Sequence, residues 1–183
     1  SLARHPGPQI VVSLTGDVAT GRKILQAASN SLKRTHLELG GKAPVIVFDD
    51  ADLAEVVEAI RVFGYYNAGQ DCTAACRVYA GAKVYESFVA DLSAAVKGIK
   101  VGTQEEAGVE IGPLISERQR SRVASFVERA QMSGHMQIAT GGKVRAGGGF
   151  FYEPTVVAGA RQEDEIVRRE VFGPVVSVMP FKN

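Results

Sequence analysis

Two largely apolar runs, the continuous Pro44-Val45-Ile46-Val47-Phe48 and Val175-Val176-Ser177-Val178-Met179, limit the fold most strongly. A strand with one wet face alternates apolar and polar residues, and these runs do not. That is the pattern of strands buried on both sides, which require helices above and below them. The chain supplies such helices. Leu53, Val56, Val57, Ile60 and Phe63 recur on one helical face behind an Asp52/Glu55 capping arrangement. Phe88, Val89, Leu92, Val96 and Ile99 form a second amphipathic stretch. A third begins at Ser116, with Gln119 as the expected capping-box partner, and carries Val123, Phe126, Val127 and Ala130. Shorter strands are expected at Ile10–Leu14, Thr35–Leu39 and Gln137–Thr140, with an extended segment from Tyr152 to Val157 around Pro154. Strands alternating with helices define an α/β fold with a mainly parallel sheet.

A chain of 183 residues, 45% hydrophobic and 22% charged, has the composition of a globular domain. It can bury roughly 70% of its unfolded surface without metal or disulfide support. The 21 basic and 20 acidic residues leave a formal charge of +1, which gives no general attraction to nucleic acid or anionic membrane. No run reaches the ~18 apolar residues of a membrane span. The opening Ser1–Pro8 has no signal-peptide core, so the expected location is the cytoplasm. Cys72 and Cys76 fit neither a C-x-x-C redox pair nor a zinc knuckle, and His5, His36 and His135 form no ligand pair, so no metal site is expected.

Four segments have the residue types that chemistry needs. Thr15-Gly16-Asp17-Val18-Ala19-Thr20-Gly21-Arg22-Lys23 suggests a phosphate loop between strand and helix, yet it lacks both Lys directly after the second glycine and the G-x-G-x-x-G spacing. A plain strand-to-helix turn remains open. In Asn67-Ala68-Gly69-Gln70-Asp71-Cys72-Thr73 a cysteine follows a helix and a bend, a setting that can expose a thiol and favour thiolate, although cysteine is also a common buried residue. Cys76 enters the apolar segment Val78-Tyr79-Ala80 and reads as structural. Glu38, inside the run Leu37-Glu38-Leu39, is either an edge-strand carboxylate or a proton acceptor. Glu170-Val171-Phe172-Gly173-Pro174 is equally ambiguous, since Glu170 closes a charged run and Phe172 fits a core.

Together Ser13-Leu14-Thr15-Gly16, Leu37-Glu38-Leu39-Gly40-Gly41-Lys42, Asn67–Cys72 and Glu170–Pro174 resemble the landmarks of the NAD(P)-dependent aldehyde dehydrogenase superfamily, in its order and close to its spacing. The wording around them is most similar to bacterial 4-aminobutanal (γ-aminobutyraldehyde) dehydrogenases, enzymes of putrescine degradation, with betaine-aldehyde dehydrogenases as relatives. The resemblance implies that Cys72 is the nucleophile, forming a thiohemiacetal and then a thioester as hydride passes to NAD, with NADP the alternative. It implies that Glu38 is the base for the hydrolytic water. It also implies cofactor contacts at Thr15, Gly16, Leu39, Glu170 and Phe172. Asp17 and Arg169 depart from the usual residues of the family.

By the same resemblance residues 1–40 are the tail of a Rossmann-type cofactor domain and 41–183 a catalytic domain that continues beyond this chain. The expected partner is a small aldehyde, and the expected assembly is a homotetramer or homodimer. Two other readings stand beside it: an α/β binding or assembly module without catalysis, and a cysteine hydrolase pairing Cys72 with His36 or His135.

Overall fold

The computed structural model describes residues 11–182 and divides into two units, Ser1–Gly41 and Lys42–Asn183. His5, Ile10 and the Ser1–Pro8 opening lie outside the described residues.

The first unit is a strand-helix-strand. Strand β1 (Val11–Gly16) pairs in parallel with β2 (Arg34–Leu39), with Ser13 opposite His36, Thr15 opposite Glu38 and Gly16 opposite Leu39. Helix α1 (Val18–Ser29) connects them, and only Asp17 separates strand from helix. The glycine loop expected between them is therefore absent. Asp17 is instead the N-cap, its carboxylate accepting from the Ala19 N–H at 2.7 Å, and this satisfies one of the free amides of the first turn. Gly21 lies inside α1, where a Cβ would come within 2.8 Å of the Leu39 side chain. The missing side chain lets helix and strand approach.

The second unit holds a five-stranded sheet in the order β3-β4-β7-β6-β5. Its strands are β3 (Pro44–Val47), β4 (Arg77–Gly81), β5 (Gln137–Thr140), β6 (Thr155–Ala158) and β7 (Val175–Phe181). All neighbours are parallel except β5 and β6. Helices α2 (Leu53–Phe63) and α3 (Tyr85–Lys97) cover one face, placing Val57, Ile60, Phe88, Leu92 and Val96 against Val156, Val176 and Val178. Helices α4 (Glu117–Gln131) and α5 (Glu165–Arg168) cover the other, placing Val123, Phe126, Val127 and Ile166 against Val157, Val175 and Met179. Thus β7 is buried on both faces, and each enclosed valine contributes roughly 1.5–3 kcal/mol of transfer free energy. Ser177, the polar residue in the run, is also buried, and both its N–H and its hydroxyl donate to the Cys76 carbonyl.

Two expectations are corrected. β3 is an edge strand whose Ile46 is 58% exposed, because the sheet stops there. Phe63 is 64% exposed although it continues the apolar face of α2. The helix ends at Phe63, and the next residue, Gly64, comes so close to β7 that a Cβ would stand 3.0 Å from Val176. The short helix α5 was not expected from the charged run that contains it. Among the described residues no helix is long and apolar enough to cross a membrane.

Tyr65 joins α2 to the segment that follows: its ring is fully buried and its hydroxyl donates to the Thr155 carbonyl at 2.8 Å. Tyr65→Phe removes the donor from a buried carbonyl. A loss of about 1–3 kcal/mol in unfolding free energy is expected, read from urea denaturation as a lower midpoint with an unchanged slope.

Candidate active site

The segment leading to Cys72 is held in an unusual backbone conformation. After Tyr65 the chain makes a single 3-10 turn, Tyr66–Gly69, in which Asn67 (φ 51°), Ala68 (φ 55°) and Gly69 (φ 68°) are all left-handed. Glycine tolerates this region, whereas other residues lose roughly 1–2 kcal/mol each. Local bonds stabilise the turn. Asn67 Nδ2 donates to the Gln70 carbonyl at 3.0 Å, Gln70 Nε2 donates to the Asn67 carbonyl at 3.1 Å, and the Ala68 side chain is buried.

A second turn presents the thiol. Asp71 Oδ1 accepts from both the N–H and the hydroxyl of Thr73 at 2.9 Å, and the Ala74 N–H donates to the Asp71 carbonyl. Cys72 sits exposed at the apex of this turn. Neither its thiol nor its N–H has a hydrogen-bond partner among the described residues. Ala74, two residues further on, is buried.

The Glu170–Pro174 segment is also conformationally constrained. Phe172 is left-handed at φ 58°. Gln119 Nε2 donates to the carbonyls of Val171 at 3.2 Å and Phe172 at 2.7 Å, while Arg122 donates to the Glu170 carbonyl at 2.8 Å. Ser116 caps α4 as expected by accepting from the Gln119 N–H. The Gln119 side chain, however, does not return to the cap as in a capping box; it holds this loop instead. Arg169 points away, to Glu165 Oε1 at 2.7 Å. Arg129 first and Arg169 second hold the Glu165 carboxyl below its ordinary value.

These two constrained segments meet. A Cβ on Gly69 would lie 2.0 Å from the Gly173 carbonyl oxygen, and one on Gly173 would lie 2.4 Å from Val123 of α4. The Cys72 loop and the Glu170–Phe172 loop therefore meet at backbone distance, and the second rests on the Val123 side chain of α4. Gln70 Oε1 accepts from the Ile115 N–H at 2.9 Å and adds a tie to the start of α4. Lys42, the last residue of the Leu37–Lys42 landmark, lies beside Cys76, Arg77 and Glu170. Burial holds its ammonium below the ordinary lysine value of 10.5, the Cys76 thiol opposing that shift. Its carbonyl accepts from Arg77 at 2.7 Å.

The remaining predicted residues belong to the first unit. Strand alternation puts Ser13, Thr15, His36 and Glu38 on the exposed face of the β1–β2 ladder, with Thr15 and Glu38 directly opposed. Leu39 is turned to the other face, against Gly21. His36 Nε2 stands 3.3 Å from Glu38 Oε1, and Ser13 Oγ 3.4 Å from His36 Nδ1. His135 pairs with Asp164 at 2.9 Å and makes no hydrogen bond to Cys72. Among the described residues no group of three or more His, Cys, Asp or Glu could hold a metal ion. A cavity of about 450 Å³ near Val96, Lys100 and Arg145 is lined by none of the candidate site residues.

A parallel sheet covered on both faces, with an exposed cysteine on a left-handed turn packed against a second constrained loop, defines a thiol-presenting α/β domain. The model of the aldehyde dehydrogenase family matches residues 1–183, and the chain belongs to that family. It is 38% identical over 187 residues to a betaine aldehyde dehydrogenase of Rhizobium etli, covering 97% of this chain and 38% of that protein. It is 39% identical over 183 residues to a mitochondrial aldehyde dehydrogenase of Leishmania tarentolae, covering 100% of this chain and 36% of that protein. Betaine aldehyde dehydrogenase of Staphylococcus aureus, solved in complex with NAD+, superposes with a TM-score of 0.90 at 40% identity, over 94% of this chain and 35% of that one. The chain thus spans 36–38% of the length of these curated relatives.

Two outcomes test the geometry. Gly69→Ala places a methyl against the Gly173 carbonyl and adds a left-handed penalty of about 1–2 kcal/mol, so its urea midpoint should fall by at least that equivalent. For Lys42, the unfolded lysine keeps its proton to higher pH than the folded one. The unfolded state then binds more protons just below 10.5, and stability rises with pH in that window. Lys42→Met removes this rise, so the wild type should gain on the variant as pH climbs toward 10.5 in paired denaturation curves.

Proposed function

We propose that this chain carries the thiol and the base of an NAD-dependent oxidation of a small aldehyde to its carboxylic acid. The observation that carries the reading is the packing of the Cys72 turn on the Glu170–Phe172 loop through Gly69 and Gly173. The contact supports the reading because Cys72 and two of the candidate cofactor residues, Glu170 and Phe172, then share one base. Cys72 adds to the carbonyl carbon, and its N–H, which has no partner among the described residues, is available to the oxyanion that develops.

Each unit, taken by itself, offers groups whose chemistry suits a dinucleotide. Thr15 and Glu38 lie side by side on an open ladder face next to the side-chain-free Gly16, and Glu170 and Phe172 stand on a loop fixed from behind by Gln119 and Arg122. In this reading Glu170 binds the nicotinamide ribose, Phe172 packs near that end, Thr15 and Gly16 border the cofactor, and Leu39, its side chain turned to α1, has only its backbone to offer. The dinucleotide, when bound, supplies the hydride acceptor that lets the thiohemiacetal become a thioester. Glu38 then takes the proton from the attacking water. Residues 1–40 form the end of the cofactor domain and 41–183 most of the catalytic domain. The assembly is a homotetramer or homodimer of the complete protein.

The substrate class is a small aldehyde with a cationic nitrogen. 4-Aminobutanal fits the wording around Cys72, and betaine aldehyde fits the relatives named above. Relative kcat/KM for the two separates them. In the complete protein Cys72→Ser should lower aldehyde-dependent NADH formation by about 10³-fold or more. A variant that retains the wild-type rate ends the proposal. A wild-type protein that binds no NAD and whose thiol alkylates slowly would be a module without catalysis. Ester turnover without nicotinamide would favour the hydrolase.

A further inference from the structure

We infer that His36 is the positioning residue for Glu38, with Ser13 beside its other ring nitrogen; this rests on the proposed role of Glu38 as base. The parallel register places Ser13 opposite His36, and alternation along β2 puts His36 and Glu38 on the same face. The imidazole is flanked on both sides. Nδ1 lies 3.4 Å from Ser13 Oγ, and Nε2 lies 3.3 Å from Glu38 Oε1. Arg34 is the other charged residue on this face of the ladder, and α1 occupies the opposite face.

A neutral imidazole offers one donor and one acceptor, and the partner on one nitrogen decides which is which. Here the Glu38 carboxylate, which can only accept, calls for the ring proton on Nε2, 3.3 Å from its Oε1, and the Ser13 hydroxyl, which can donate or accept, then donates to Nδ1. That carboxylate oxygen is anchored and the other is left for water.

This matters because a glutamate side chain has three torsions to hold before it can meet a water molecule productively. During hydrolysis the water oxygen bonds to the thioester carbonyl carbon and the water proton passes to the free oxygen of Glu38. Collapse of the tetrahedral adduct breaks the C–S bond and releases Cys72 as thiolate. His36 keeps its proton throughout. Its contribution belongs to this half of the reaction, and formation of the acyl-enzyme does not need it.

The test is rapid-quench kinetics on the complete protein with 4-aminobutanal and NAD, following NADH optically and the acyl-enzyme by intact mass. His36→Leu should keep the rate and amplitude of the first NADH turnover and slow acyl-enzyme decay about 10–100-fold. His36→Gln, which retains an N–H donor, should recover part of that loss, and Ser13→Ala should slow decay more weakly. Unchanged decay in His36→Leu beside slow decay in Glu38→Gln overturns this inference alone. Equal slowing of the first turnover and of decay in His36→Leu also overturns it, since that is a general structural defect. Wild-type decay in Glu38→Gln removes the base assignment, and this inference with it.

Discussion

The second unit depends on a contact between two backbones. Gly69 rests on the Gly173 carbonyl, with room for no side chain, and Gly173 rests on Val123. Each neighbour of this contact is conformationally costly by itself: three left-handed residues in a row on one side, a left-handed phenylalanine on the other. Such strain persists only where the surroundings over-determine it. The surroundings do so here. Ala68 and Val171 are buried in the same cluster as Val123, Gln119 grips two carbonyls, and Tyr65 is anchored to β6. The stability of the sheet and α4 is therefore what holds the Cys72 turn in place. An exposed thiol gains fixed direction without being buried.

That arrangement explains which parts of the molecule were legible in advance. The runs that became β7 and the amphipathic faces of α3 and α4 were readable because burial on both faces of a sheet and on one stripe of a helix leaves periods in the sequence. Edges leave none. Ile46 and Phe48 have the composition of buried residues, yet β3 ends the sheet and both are exposed. Phe63 keeps the helical period, yet it is the last residue of α2 and lies exposed beside the stripe that Ile60 and Gly64 bury.

The site was legible as motifs and illegible as geometry. Cys72, Glu38, Glu170 and Phe172 could be singled out because their residue types suit the chemistry and their order resembles a family. The features that position them gave weak or misleading signals. Asn67 and Ala68 do not announce left-handed backbone, since the conformation is imposed by packing. Gln119 matched a capping box by spacing, but its side chain had a better use across the domain, where two carbonyls of a sharply bent loop needed a donor. Lys42 drew attention only as the end of a landmark, and the partners that bear on it come from β4 and the loop before β7. Non-local hydrogen bonds have no period.

The two proposed reactive groups sit in contrasting supports. Cys72 is backed by a dense core through Ala68 and the glycine contact, so its direction is set by the fold. Among the described residues Glu38 stands on a two-stranded ladder with no core around the carboxylate, and His36 and Thr15 are its neighbours on that face. A nucleophile must meet a carbonyl carbon at one distance and one angle, which suits rigid backing. A base must admit water and release its proton, which suits an accessible carboxylate restrained by a single imidazole. The contrast in support follows the contrast in task, and it makes the identity of the residue two positions before Glu38 a chemical matter rather than a surface detail.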